Sequence, residues 1–152
     1  MPDPKLIDWM CLCAAVLSLL FVAAWQVPPS ISLTVEIEPD VAVRGETLTL
    51  TFVIANSNDA PLEEAVLGIR LPDGTALERA ETVGEAWLEV GPVDGAAYRG
   101  TVTLGSGQSA SLTLVVRVDE RAGEALVLED YALDAAQLET PVVGEARSIP
   151  VE

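Results

Sequence analysis

The hydropathy pattern changes its period once, at Pro28-Pro29, and that change constrains the fold more than any other feature of the chain. Before it, Trp9 to Val27 reads WMCLCAAVLSLLFVAAWQV, a run without a charge in which only Ser18 and Gln26 are clearly polar. After it, apolar and polar residues alternate strictly. Ile31, Leu33, Val35 and Ile37 point one way, while Ser32, Thr34 and Glu36 point the other. An uninterrupted apolar run suits a helix in lipid, and a period of two suits a strand with one wet face. The 152 residues therefore divide into a short apolar segment and one β domain of ordinary size.

At ~1.5 Å per residue the apolar run makes a helix of ~28 Å, close to the ~30 Å hydrocarbon thickness of a bilayer. Trp9 and Trp25 bracket it as membrane-interface anchors. The two prolines, which cannot donate backbone hydrogen bonds, stop it. The expected organisation is a cytoplasmic N-terminus over residues 1–8, a transmembrane helix over 9–27, a linker over 28–30 and an extracytoplasmic domain over 31–152. Orientation follows from Lys5 ahead of the span, with Arg44 the first basic residue behind it. The competing reading is a cleaved signal peptide, with Val22-Ala23-Ala24 offering small residues for the peptidase. Against it, Asp3 and Asp8 spoil the positive leader, and the apolar run exceeds the usual ~7–15 residues. Either reading exports the domain to the periplasmic or extracellular side.

Cys11, Ala14, Ala15 and Ser18 fall at i, i+3, i+4 and i+7, which lines one face of this helix with small side chains. Helices associate in lipid by close packing over such faces, so these four form a candidate helix-packing interface with another subunit or a second copy. Cys11 and Cys13 are the only cysteines, and at a spacing of two they face opposite sides of a helix. The domain beyond Pro29 has no disulfide and must fold on its core alone.

That core is aliphatic by necessity, since aromatics are only 5% of the chain. Leu48, Leu50, Phe52 and Ile54 alternate with Thr47, Thr49, Thr51 and Val53. Leu112, Leu114, Val116 and Val118 alternate with Ser111, Thr113, Val115 and Arg117. Shorter strand candidates are Val66–Leu71, Ala86–Val90, Tyr98–Leu104, Ala125–Leu128, Tyr131–Ala135 and Ala146–Val151. Turn residues separate them, at Pro39-Asp40, Asn56-Ser57-Asn58-Asp59, Pro72-Asp73-Gly74, Gly105-Ser106-Gly107 and Thr140-Pro141. Seven to nine short strands without an amphipathic helix predict an all-β fold, a single Ig-like antiparallel β-sandwich, behind one N-terminal transmembrane α-helix.

In order, the strands resemble a known family. Val43-Arg44-Gly45-Glu46 leading into Thr47–Asn56, then Leu71-Pro72-Asp73-Gly74-Thr75, then Leu104-Gly105-Ser106-Gly107-Gln108 leading into Ser109–Leu114, resemble the DUF11-type immunoglobulin-like bacterial surface repeats. In that family a Gly-Glu/Asp turn opens a Thr-rich strand that ends in Asn. The resemblance covers most of Ser32–Val118 and implies the sandwich fold. Two departures separate this chain from the family: a single copy on a membrane helix in place of tandem repeats, and no Asn-Asn before the last strand. An adhesive or fibre-building role does not follow from the resemblance.

Chemistry is mostly excluded. The chain has 24 acidic and 8 basic residues, a net charge of −16, and no histidine. A nucleic-acid surface needs clustered Lys/Arg, so no nucleic-acid partner is expected. Without histidine there is no Ser-His-Asp or Cys-His nucleophile and no His-ligated metal. The acidic pairs Glu63-Glu64, Asp119-Glu120 and Glu129-Asp130 are sequence neighbours, which a regular strand sends to opposite faces, away from a shared catalytic cleft. No calcium-loop or phosphate-loop motif occurs, which leaves only Asp40, Asp59 and Glu129/Asp130 as groups that a sandwich end could gather. Trp87 reads either as a core residue or as a surface recognition anchor. We expect no catalytic residue, no cofactor and no metal. The expected role is an accessory or scaffold subunit of a membrane protein complex, with membrane protein subunits as partners through the helix and the acidic sandwich surface. The alternative is a free-standing envelope module that binds other surface molecules.

Overall fold

The computed structural model describes residues 31–84 and 86–152, and every regular element among them is a strand. The span over 9–27, the anchors Trp9 and Trp25 and the small-residue face of Cys11, Ala14, Ala15 and Ser18 lie outside the described residues. The strands are β1 (Ile31–Glu38), β2 (Thr47–Asn56), β3 (Leu62–Arg70), β4 (Thr75–Val83), β5 (Trp87–Pro92), β6 (Ala97–Leu104), β7 (Ser109–Val118), β8 (Ala125–Leu128), β9 (Tyr131–Asp134), β10 (Val142–Val143) and β11 (Arg147–Pro150). They form a four-stranded sheet in the order β1-β2-β7-β4 and a five-stranded sheet in the order β10-β9-β3-β6-β5. A two-stranded ribbon of β8 and β11 is the third sheet. All strand pairings are antiparallel.

The two longest alternating segments become the centre of the first sheet. β2 and β7 pair without interruption from Thr47 opposite Arg117 to Ala55 opposite Ser109. Leu48, Leu50, Phe52, Ile54, Leu112, Leu114, Val116 and Val118 all face inward, none more than 1% exposed. Leu67, Val102, Leu104 and Leu133 of the second sheet are likewise buried in the same core. The two sheets also meet in an aromatic contact, Phe52 lying edge-on to Tyr131 with ring centroids 5.3 Å apart. The Tyr131 ring sits where a side chain on Gly144 would stand, and its hydroxyl donates to the Glu145 carbonyl at 2.6 Å. That contact fastens the C-terminal segment to the core.

Alternation identified the long regular strands; of the bulged ones it found β5, began β3 too late and missed β4. β4 escaped the sequence reading because a register shift between Leu77 and Arg79 breaks its period, and Leu77 and Ala80 are only half-buried. β3 begins at Leu62, four residues before the expected Val66, because a second bulge falls between Leu62 and Ala65. This bulge also corrects the expectation for Glu63-Glu64. Both side chains are exposed, with Glu64 at φ 47° and its N–H donating to Thr103 Oγ1.

One buried polar side chain organises a whole end of the sandwich. Asn56, 1% exposed, closes β2. Its Nδ2 donates to the carbonyls of Ala60, Leu104 and Gly105 at 3.0, 3.1 and 3.2 Å, and its Oδ1 accepts from Asn58 N–H at 3.0 Å. The backbone of Asn56 also exchanges bonds with the 105–108 turn, its N–H to Gln108 and its carbonyl from Gly107. One amide thus holds the β2–β3 and β6–β7 connections together.

Two stability differences follow. We expect Phe52→Ala to cost ~3–5 kcal/mol. Thr51→Ala, which loses one outward Oγ1 contact with Thr113 at 3.2 Å, should cost no more than ~1 kcal/mol. Equal losses in urea unfolding would place β2 in the wrong register. Asn56→Ala should cost ~1–3 kcal/mol by stranding the carbonyls it serves. Asn56→Asp should be worse at neutral pH, where a carboxylate would face three carbonyl oxygens, and should recover part of the loss as acid protonates it. Unfolding curves at pH 7 and near pH 4 compare the two variants.

Candidate interaction surface

The outer faces of the two sheets differ in relief. On the four-stranded sheet, Thr49, Thr51, Val53, Ser111, Thr113 and Val115 form a half-buried, uncharged centre of filled side chains. Its β4 border carries the Arg79–Glu81 ion pair at 2.9 Å.

The five-stranded sheet has a low floor instead. Register places Ala132, Gly68, Arg99 and Gly91 in one row across β9, β3, β6 and β5. A side chain at Gly68 or Gly91 would meet nothing within 4 Å. The neighbouring row is Asp134, Val66, Thr101 and Glu89. A shallow cleft of about 280 Å³ opens here, lined by Val66, Glu89, Gly91, Val93, Arg99 and Thr101 among others. Val93 and Val143, at two borders of this face, are 58% and 69% exposed. Arg99 makes no ion pair among the described residues. Bare glycines, exposed valines and the guanidinium of Arg99, with Glu89 in the same cleft, make up this surface.

Trp87 belongs to the packing, half-buried and not a free anchor. Its indole lies over Gly100, where any Cβ would collide with the ring, and its Nε1 donates to the Ser111 carbonyl at 3.1 Å. Since Trp87 is on β5 and Ser111 on β7, this bond ties the edge of one sheet to the other.

Carboxylates of the connections are distributed unequally between the two ends of the sandwich, although exposed Glu63, Glu64, Glu81 and Asp134 on the adjoining strand ends make the proximal end acidic as well. Antiparallel pairing puts the start of β1 and the end of β2 at one end, which we call proximal because the chain comes in there at Ile31, opposite Asn56. Connections 57–61, 84–86, 105–108 and 135–141 share the proximal end and contain, in sequence, only Asp59, Glu85 and Glu139 as charges. The distal connections contain Asp40, Glu46, Asp73, Asp94, Asp119, Glu120, Glu124, Glu129, Asp130 and Glu145 against Arg44 and Arg121. The β8–β11 ribbon is distal too, since Gly74 approaches Ala122 and Leu126. Asp59 lies at the opposite end from Asp40, Glu129 and Asp130, so these residues do not gather. Among the described residues no three acidic side chains are placed to hold a metal ion.

Distal carboxylates serve partly as structure. Asp94 Oδ1 accepts from Ala96 N–H and Ala97 N–H, both at 2.9 Å, and so closes the β5–β6 turn. These two bonds, with help from the Arg70 charge, hold its pKa below the ordinary 3.8. Burial acts the other way on Tyr98 and Tyr131, raising both phenols above 10.0.

No protein-family model matches this sequence, and no characterised protein matches it as a relative. The fold has clear counterparts among solved structures. The cohesin module of a family 33 glycoside hydrolase from Clostridium perfringens superposes with a TM-score of 0.59 at 11% identity, over 82% of this chain and 98% of that module. The sixth cohesin of scaffoldin B from Acetivibrio cellulolyticus, solved in complex with the Cel5 dockerin, gives 0.57 at 10% identity over 81% and 99%. The major pilin subunit of Bacillus cereus gives 0.57 at 9% identity over 80% of this chain and 40% of the pilin. The domain is an all-β sandwich of the fold shared by cohesins and pilin domains.

Asp94 supplies a pH test of the turn. A carboxylate with a lowered folded-state pKa contributes stability above its unfolded pKa and loses it as pH falls through the folded value. We expect the Asp94 carboxyl, followed by NMR, to titrate below 3.8. Asp94→Ala should narrow the stability gap between pH 5 and pH 2. A midpoint at or above 3.8 would mean that the turn is open in solution.

Proposed function

We propose that this chain is a non-catalytic protein-binding module, held on the outer side of a membrane by Trp9–Val27, that serves as an accessory subunit of a membrane protein complex. The observation that carries the reading is the outer face of the five-stranded sheet, flat over Gly68 and Gly91, edged with exposed valine and unpaired Arg99. Such a face accepts another protein surface and leaves no enclosed pocket for a small substrate. Cohesins of the same fold are solved in complex with dockerins, which makes protein recognition a known use of this sandwich. The apolar segment, with its tryptophan borders, supplies the anchor, and Cys11, Ala14, Ala15 and Ser18 supply a face for a neighbouring helix. The DUF11-type resemblance fits the same picture of a single immunoglobulin-like domain displayed outside the cell membrane.

The second reading, a free-standing envelope module, shares the sandwich and differs in attachment. Lys5 is the only lysine in the chain, which makes attachment and orientation testable together. A membrane-impermeant amine reagent should leave the protein in intact cells unlabelled at Lys5 and label it once the membrane is opened. A protein released in soluble form without its first residues would instead support the free-standing reading.

For the complex, we expect mild detergent extraction and native electrophoresis to show the chain in a larger stoichiometric assembly. Gly68→Gln with Arg99→Glu should release partners bound through the sheet, with unchanged thermal unfolding. Ala14→Leu with Ser18→Leu should release partners bound through the helix. Migration of the wild-type chain alone would overturn the accessory-subunit reading.

A further inference from the structure

The β8–β11 ribbon has one open flank, and that flank has the geometry of a strand acceptor. We propose that the free edge of β8 takes up an extended, basic segment of another protein, which pairs with it as an added strand. This site lies on the ribbon, apart from the five-stranded face, and does not depend on the docking proposed there.

Register fixes which backbone groups of β8 are free. The N–H of Val151 donates to the Glu124 carbonyl at 2.9 Å, so these two residues form a hydrogen-bonded pair. Such pairs recur at every second residue of an antiparallel ladder, which makes Leu126 opposite Ile149 and Leu128 opposite Arg147 the next two. The N–H and C=O groups of Ala125 and Val127 therefore point away from β11. Among the described residues no strand pairs with β8 on that side, and no backbone hydrogen bond uses these groups. The other flank of the ribbon is closed. Ala42 N–H donates to the Pro150 carbonyl at 2.8 Å, and Glu152 N–H donates to the Ala42 carbonyl at 2.9 Å.

The space beside the free edge is a vacated lane. β9 pairs with β3 up to Arg70, whose N–H donates to the Asp130 carbonyl at 2.8 Å. Past Arg70 the chain leaves through Pro72 for β4, so β8, which runs into β9 through Glu129-Asp130, has no neighbour in that lane. A groove of about 470 Å³ opens there. Arg70, Leu71 and Asp73 line it from the end of β3 onward, and the alternate residues Ala125, Val127 and Glu129 line it from β8. Val127 is 48% exposed. Other edges are guarded against pairing: β4 and β5 each carry a bulge, β5 ends in Pro92, and β1 carries Glu36 and Glu38.

Charge selects the occupant. Asp73, Glu129 and Asp130 are exposed at the groove, and Arg70 is the one cation among its lining residues. None of the three carboxylates is in an ion pair among the described residues. Main-chain bonds to β8 hold any extended segment, and the carboxylates favour one with Lys or Arg at alternate positions. An acidic segment is repelled.

The test uses the full chain in a non-ionic detergent and a fluorescein-labelled, C-terminally amidated peptide, Lys-Val-Lys-Val-Lys-Val. One control, Glu-Val-Glu-Val-Glu-Val, reverses the charge. The other is the basic peptide N-methylated throughout its backbone, which keeps the charge and removes every amide donor. Anisotropy reads affinity, and amide hydrogen exchange followed by NMR reads location. We expect the basic peptide to bind at least about tenfold more tightly than either control and to slow exchange at Ala125 and Val127. Val127→Pro removes an N–H that points into the groove, and should weaken binding with unchanged thermal unfolding. If that variant fails to fold, the exchange measurement on the unaltered chain decides. Equal binding of the N-methylated peptide would reduce the effect to general attraction by an acidic protein and overturn strand addition. Equal binding of the acidic peptide would overturn the choice of a basic partner. Slowed exchange on β1, β4 or β5 in place of β8, or no binding of the basic peptide, would overturn the site.

Discussion

The antiparallel pairing of β2 with β7 is the constraint on which the rest of the sandwich depends. Both strands run without a bulge along their shared register, and each presents an unbroken inward row of Leu, Ile, Val or Phe. A slip of one residue would turn every one of these side chains to solvent and bring the threonine rows inside. With eight inward side chains at ~1.5–3 kcal/mol each, no alternative register competes. β1 and β4 then have one place each to pair, on the free edges of β2 and β7. The second sheet has one buried surface to cover.

A core so dependent on aliphatic burial has little directional information of its own, and polar groups at its margins supply it. Asn56 joins two connections at the proximal end. Trp87 reaches from β5 to the β7 backbone, and Tyr131 reaches from β9 to the Glu145 carbonyl. Each spends a partly or wholly buried donor on a backbone carbonyl, so each stabilises one arrangement of the sheets and penalises the others. In a domain without cysteine they take the place that a disulfide occupies in many exported sandwiches.

The all-β class, the inward rows and most strand positions were legible because a half-buried strand and its sequence share a period of two. The failures have the same origin. In β3 and β4 a bulge adds a residue to the strand, so Glu63 and Glu64 fall outside any alternation and Leu77-Glu78-Arg79-Ala80 shows no pattern at all. The candidate surface was less legible still. Its floor is Gly68, Gly91 and Ala132, residues whose contribution is the absence of a side chain, and only register brings three separate strands into one row. Trp87 was ambiguous for a related reason: its partner Gly100 lies on another strand, and nothing local announces a glycine as the seat of an indole.

The segregation of charge is a property of topology acting on a sequence, and this is why composition alone described it poorly. A net charge of −16 reads as a uniformly acidic molecule. In an antiparallel sandwich, however, every connection falls at one end or the other, so carboxylates concentrated in a few connections accumulate locally. Here the excess sits in the distal connections 39–46, 119–124 and Glu129-Asp130, whereas the connections after β2, β3, β4, β5, β9 and β10 hold one carboxylate each. The five-stranded face lies parallel to the strand axis, and Arg99 stands on it one row from Glu89 and Asp134. A protein approaching this face meets a positive point with carboxylates on its proximal side, a pattern that distinguishes one docking orientation from its reverse before any side chain is in contact.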